Sequence, residues 1–142
     1  MTEPELPVVL RERAVTVSPR DTAEEAIAAV MDFTPSDDGV SVYYVYVTDN
    51  GDLVGVVSMR ELLNAANSAL VSTIMTTDLV TIDPSNTLQT AIQRIIDSRF
   101  PVLPVVDEER EFVGVIRASD VIDALDEQTT KQMFKQAGFW MR

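Results

Sequence analysis

Val15-Thr16-Val17-Ser18-Pro19 returns as Val80-Thr81-Ile82-Asp83-Pro84, 65 positions further along the chain. The apolar positions behind each copy also coincide: Ala23, Ala26, Ile27, Val30 and Met31 map onto Leu88, Ala91, Ile92, Ile95 and Ile96. Further on, Leu53-Val54-Gly55-Val56-Val57-Ser58 is repeated as Phe112-Val113-Gly114-Val115-Ile116-Arg117, now 59 positions away. The first copy therefore carries six extra residues between its first helix and its second strand. Two like half-domains imply a pseudo-twofold pair with a cleft between them, the geometry of a small-ligand binding module.

Each copy spells the same order of elements. In the first, Val15–Val17 is a short strand, and Thr22 with Glu25 forms a capping box that opens a helix to about Met31. Thr34–Gly39 reads as a loop, and Val42–Val47 as a β-branched and aromatic strand. Asp49-Asn50-Gly51-Asp52 turns that strand into Leu53–Ser58 as a hairpin, and a short helix covers about Met59–Ala66. Val71–Met75 links to the second copy, which reads as strand Leu79–Ile82, helix Leu88–Asp97, strands Val102–Val106 and Phe112–Arg117, and helix Ala118–Leu125. The expected boundaries are a lead-in over 1–10, repeats over 11–69 and 70–128, and a C-terminal helical tail over 129–142.

Composition narrows the function. The chain has 142 residues, 46% of them hydrophobic, enough for a real core. No apolar run approaches the roughly 18–20 residues that cross a bilayer, and Met1-Thr2-Glu3-Pro4-Glu5 lacks the features of a secretory signal. The formal charge of −12 repels nucleic-acid phosphates and anionic membrane surfaces while attracting divalent cations. With neither cysteine nor histidine present, disulfides, thiolate metal sites and His-dependent nucleophilic chemistry are excluded. No Gly-rich phosphate loop followed by Lys-Ser/Thr occurs. The expectation is a cytoplasmic protein that is not an enzyme and does not insert into membranes.

A tandem β-α-β-β-α unit whose last helix opens with Gly-h-h-Ser/Thr-x-x-Asp/Glu resembles a pair of CBS (cystathionine-β-synthase-type) domains, a Bateman module. The carrying residues are Gly55-Val56-Val57-Ser58-Met59-Arg60-Glu61 and Gly114-Val115-Ile116-Arg117-Ala118-Ser119-Asp120. Ile74-Met75-Thr76 and Leu103-Pro104-Val105-Val106-Asp107 fit as well. A narrower resemblance, to the cytosolic CBS region of MgtE-type magnesium transporters, rests on Tyr43–Val47, Ser58–Leu62, Phe100 and the acidic run 120–127. The implied architecture is α/β (α+β), two CBS repeats packed as a pseudo-twofold pair. The implied partners are a second copy of the chain, as a homodimer, and a membrane transporter domain.

The resemblance also implies a site. Glu61 and Asp120 stand where the family uses an acid to take the ribose hydroxyls of an adenine nucleotide, a task suited to a carboxylate with two acceptor oxygens. Ser58 and Glu61 equally spell a capping box that needs no ligand. Arg60 is the implied phosphate anchor, its alternative being a solvated surface arginine. Tyr44 and Phe100, with Val80 and Pro101, would form the adenine slot, so that one nucleotide touches both repeats. Cross-strand packing is the alternative for the tyrosines.

A second, pseudo-equivalent cleft would use Val15, Arg117, Ser119 and Asp120, with Ser119 in place of the anchoring arginine and Arg117 as a candidate replacement phosphate anchor, and one occupied site per chain is expected. Asp120, Asp123 and Asp126 fall on one helix flank and could attract Mg2+, or simply form a solvated acidic face. The resulting expectation is a regulatory module that binds ATP, ADP or AMP and controls magnesium transport or a partner protein. The alternatives are an acidic Mg2+-responsive sensor without nucleotide, and a ligand-free dimerisation scaffold.

Overall fold

The computed structural model describes residues 10–11, 14–33 and 44–123. Helix α1 (Ala23–Asp32) starts where Thr22 and Glu25 satisfy each other's backbone N–H groups, so the capping box read from the sequence is formed in full. Such a box is worth about 1 kcal/mol. Ala23 and Ala26 face inward and are fully buried. In the second repeat, the equivalent helix α4 (Leu88–Ser98) is capped by Thr87 and stops at Arg99, which adopts the left-handed conformation at φ 62°.

Two three-stranded sheets form the centre. One has the order β2 (Thr16–Val17), β3 (Tyr44–Asp49), β4 (Asp52–Ser58), with β2 parallel and β4 antiparallel to β3. The other has the order β1 (Leu10–Arg11), β6 (Phe112–Arg117), β5 (Val102–Val106). In the β3–β4 turn, Asn50 and Gly51 both take positive φ (53° and 89°), as a two-residue hairpin of this twist requires.

Each hairpin carries a bulge at the same place. The register runs Val47↔Gly55 then Thr48↔Leu53 in the first, and Val105↔Gly114 then Val106↔Phe112 in the second. Val54 and Val113 are thereby skipped, and the strand flips its faces at that point.

Alternation along the strands separates three apolar layers. Val45, Val47 and Val57 point to the helices of the first repeat and pack with Ala23, Ala26 and Leu62. Ile82, Leu103, Val105 and Ile116 do the same with Ala91 and Val121 in the second. Between the two sheets lie Tyr46, Leu53 and Val115, flanked by Tyr44, Val102 and Phe112. The loops lock as well: the Phe112 N–H donates to the Gly51 carbonyl (3.0 Å), and the Leu53 N–H to that of Arg110 (3.2 Å).

The segment ahead of each repeat completes the sheet of the other. Leu10 and Arg11 pair with Ile116 and Val115 of β6, and Thr76 pairs with Val56 of β4. Thr76 exchanges both backbone hydrogen bonds with Val56, at 2.8 and 3.0 Å. Arg11 and Thr76 are equivalent positions, as are Val115 and Val56, so the exchange is reciprocal. The residue-10 end of the expected lead-in thus belongs to the fold.

Two further expectations are sharpened and one is corrected. The link at Val71 is a single helical turn, α3 (Val71–Ile74), and the helix beginning at Met59 ends at Asn64 as α2 (Met59–Asn64). The strand expected over Leu79–Ile82 shrinks to one parallel bridge, Ile82↔Val105. On its downstream side Asp83 leaves the extended path, its Oδ1 accepting from the Ser85 N–H and Oγ. Those bonds hold its carboxyl below the usual carboxylate range. On its upstream side the Thr81 carbonyl accepts from the Arg94 guanidinium rather than from a strand. Residues 118–123 are helical (α5), as expected for the opening of the last helix. The expected loop over 34–39, residues 42–43, the helix expected beyond residue 123 and the tail over 129–142 lie outside the described residues.

Candidate functional site

Tyr44 begins β3 and pairs in register with Ser58, the last residue of β4, so the mouth of the inter-sheet layer meets the start of α2. There the Ser58 N–H and Oγ donate to Glu61 Oε1 (3.0 and 2.9 Å), and the Glu61 N–H donates to Ser58 Oγ (3.1 Å). The capping role is therefore real. It uses one carboxylate oxygen, and Oε2 accepts no hydrogen bond among the described residues. Arg60, on the same exposed turn, makes no ion pair among them.

The second repeat closes on this corner. The Tyr44 and Phe100 rings meet edge to face, centroids 5.8 Å apart at 86°. Partial burial, and then the nearby Glu61 charge, push the Tyr44 phenol above its ordinary range. Phe100 remains 40% exposed, and the carbonyl of exposed Pro101 accepts the Ala118 N–H at 2.8 Å, tying this segment to α5. Tyr44, Ser58, Glu61 and Phe100 are thus brought together from both repeats.

Val80 lines a neighbouring cavity of about 420 Å3 with Leu79, Thr81, Arg94, Asp97 and Ser98. Because the ladder begins only at Ile82, the Val80 N–H and C=O enter no hydrogen bond among the described residues. Arg94, Asp97 and Ser98 escaped the sequence reading. The signal was present: Arg94 stands where the first repeat has Ala29, and Ser98 where it has Phe33. A guanidinium replacing a methyl group at equivalent places is a departure that repetition alone does not explain.

The pseudo-equivalent cleft is built differently. Arg117, at the position of Ser58, grips Asp120, at the position of Glu61, through Nε–Oδ2 at 2.8 Å and Nη2–Oδ1 at 3.0 Å. The two side chains are only 16% and 13% exposed, so this is a shielded bidentate pair. The Val15 carbonyl is also occupied, accepting the Tyr46 N–H at 3.0 Å, and Ser119 is exposed. Arg117, a candidate phosphate anchor in the sequence, is instead turned onto its own acid. Of the acidic trio, Asp120 is held in this pair, Asp123 is exposed and Asp126 lies outside the described residues. Among the described residues no group of three acidic side chains is placed to hold a metal ion.

The family model for the CBS domain matches twice, over residues 6–68 and 71–127. The magnesium transporter MgtE of Thermus thermophilus is 35% identical over 115 residues, 80% of this chain and 25% of that protein. Inosine-5'-monophosphate dehydrogenase of Korarchaeum cryptofilum is 38% identical over 108 residues, 75% of this chain and 21% of the enzyme. The chain thus spans about a quarter of the length of these relatives. Among solved structures, the cytosolic domain of the Mg2+ channel MgtE in complex with ATP superposes with a TM-score of 0.72 at 32% identity, covering 81% of this chain and 46% of that one. The duplicated sheets, the exchanged leading segments and the two family matches lead to one assignment: the chain belongs to the CBS domain family and is a CBS pair, a regulatory module similar to the cytosolic CBS region of MgtE.

Proposed function

We propose that this CBS pair binds an adenine nucleotide (ATP, ADP or AMP) in the cleft between its repeats and passes the bound state to a magnesium transporter domain or another partner on the cytoplasmic side. One observation supports the reading: an aromatic pair drawn from both repeats meets beside the Ser58–Glu61 cap, whose carboxylate keeps one oxygen unused among the described residues. A base can stack on Tyr44 or Phe100 and use the Val80 N–H and C=O for its edge. Glu61 Oε2 suits a ribose hydroxyl, and Arg60 suits phosphate on a chain with a formal charge of −12. The similar MgtE cytosolic domain solved with ATP supports the same ligand class.

Rings in contact at 5.8 Å leave no space for a base between them. A nucleotide that enters there parts the repeats, and its differential affinity for the parted arrangement sets the size of any signal.

Calorimetric titration of ATP, ADP and AMP tests the site. Arg60→Ala and Glu61→Gln should each weaken ATP binding about five- to tenfold, with a melting temperature within about 2 °C of wild type, because glutamine preserves the capping geometry. Unchanged affinity in both variants would remove this corner from the site.

The homodimer belongs to the same proposal. Met31 and Leu63 are 78% and 66% exposed, and their repeat equivalents Ile96 and Ile122 are 61% and 55% exposed. Four apolar side chains bared at matching helix positions suit a second copy of the chain. Leu63→Glu should shift the sedimentation equilibrium from dimer to monomer, and a wild-type monomer at tens of micromolar would refute the dimer.

A further inference from the structure

The Tyr46 hydroxyl is buried, with no hydrogen-bond partner among the described residues, in a side chain only 2% exposed. Its ring stacks on Phe112 of the other repeat, centroids 5.2 Å apart, inside the layer between the sheets. Among the described residues no charged or polar side chain other than tyrosine is buried. At the matching register position of the other sheet stands Pro104, which pairs with Val115 as Tyr46 pairs with Val56. Packing therefore asks for a phenyl ring, and phenylalanine would provide it without stranding a polar atom. A hydroxyl left unpaired in such a layer destabilises the empty protein, and buried polar groups of this kind ordinarily have a partner.

The position of the group indicates where a partner enters. Tyr44 and Tyr46 lie on the same face of β3, Tyr44 at the mouth beside Phe100 and Glu61, and Tyr46 two pairs deeper. The Tyr44 phenol is close enough to add to the burial that raises the Tyr46 pKa. Tyr46 is the next residue on that face of β3 after the ring that a nucleotide would displace. We infer that Tyr46 is a specificity residue for the base of the bound nucleotide, its hydroxyl donating to a ring nitrogen of the purine once the aromatic contact has opened. The inference rests on the nucleotide reading and adds the residue that reads the base. Because the hydroxyl gives up no protein partner among the described residues when it engages ligand, its contribution to affinity exceeds that of a donor already bonded to protein.

Tyr46→Phe is nearly isosteric and keeps the stack on Phe112, so folding does not confound the test. Titration with ATP should show affinity reduced about tenfold, while the ligand-free variant melts at or above the wild-type temperature. Equal ATP affinity would overturn the inference. So would a ligand-free variant that melts several degrees lower, because a buried water would then be the hydroxyl's partner. Either result leaves the nucleotide site standing if wild type binds ATP and Arg60→Ala weakens it. A wild-type chain that takes none of the three adenine nucleotides refutes both readings.

Discussion

Gly55→Val lowers the melting temperature by about 10 °C, a loss of about 3 kcal/mol, and Gly55→Ala about half as much. A Cβ on Gly55 would lie 2.5 Å from Met75 Sδ, 2.9 Å from its Cγ and 3.1 Å from its Cβ, so it strikes the whole shaft of that side chain rather than its tip. Met75 has little room to retreat. Its own N–H is bonded to the Val71 carbonyl at 2.9 Å, and the next residue, Thr76, is pinned to Val56 by two backbone bonds. Chemical denaturation checks the effect, and Met75→Ala in the Gly55→Ala background should recover most of the loss. A Gly55→Ala protein as stable as wild type would show that Met75 is free to move aside.

The two equivalent acids should behave in opposite ways. Asp120→Ala removes the bidentate partner of Arg117 in a shielded place and should cost about 3 kcal/mol while leaving ATP affinity within twofold of wild type. Glu61→Ala loses only a capping partner, about 1 kcal/mol, and should weaken ATP binding about tenfold. Replacing both members of the pair, Arg117→Met with Asp120→Leu, should restore most of the lost stability, because apolar groups of like volume need no counter-charge. Urea unfolding and calorimetry on the same preparations read both axes. Loss of nucleotide affinity in Asp120→Ala without loss of stability would reverse the assignment of roles.

Those roles were only half legible in the residues. Gly55 and Gly114, the capping residues Thr22 and Ser58, and strands Val102–Val106 and Phe112–Arg117 were readable because repetition and alternation are local patterns. The bulges at Val54 and Val113 were not, since both are valines in unbroken apolar runs and the skipped pairing is a property of two strands together. The bridge at Thr76 involves one residue and leaves no periodicity to detect. The shortening of the strand at Leu79 depends on Arg94, which reaches Thr81 from 13 residues away. At the site, the spacing of Ser58 and Glu61 gave the capping box, whereas the meeting of Tyr44 with Phe100 came only through the family resemblance. Neither could reveal that Arg117 would close on Asp120, because a Ser-to-Arg change between copies does not say which way the guanidinium turns.

The reciprocal strand exchange has a mechanical corollary. Leu10–Arg11 is covalently continuous with the first half but hydrogen-bonded to the second, and Thr76 mirrors it. Separating the halves must therefore break the Leu10–Arg11 pairing to β6 and the two Thr76–Val56 bonds as well as the packing between the sheets. The halves are geared, so a rotation of one drags the other's outermost strand with it.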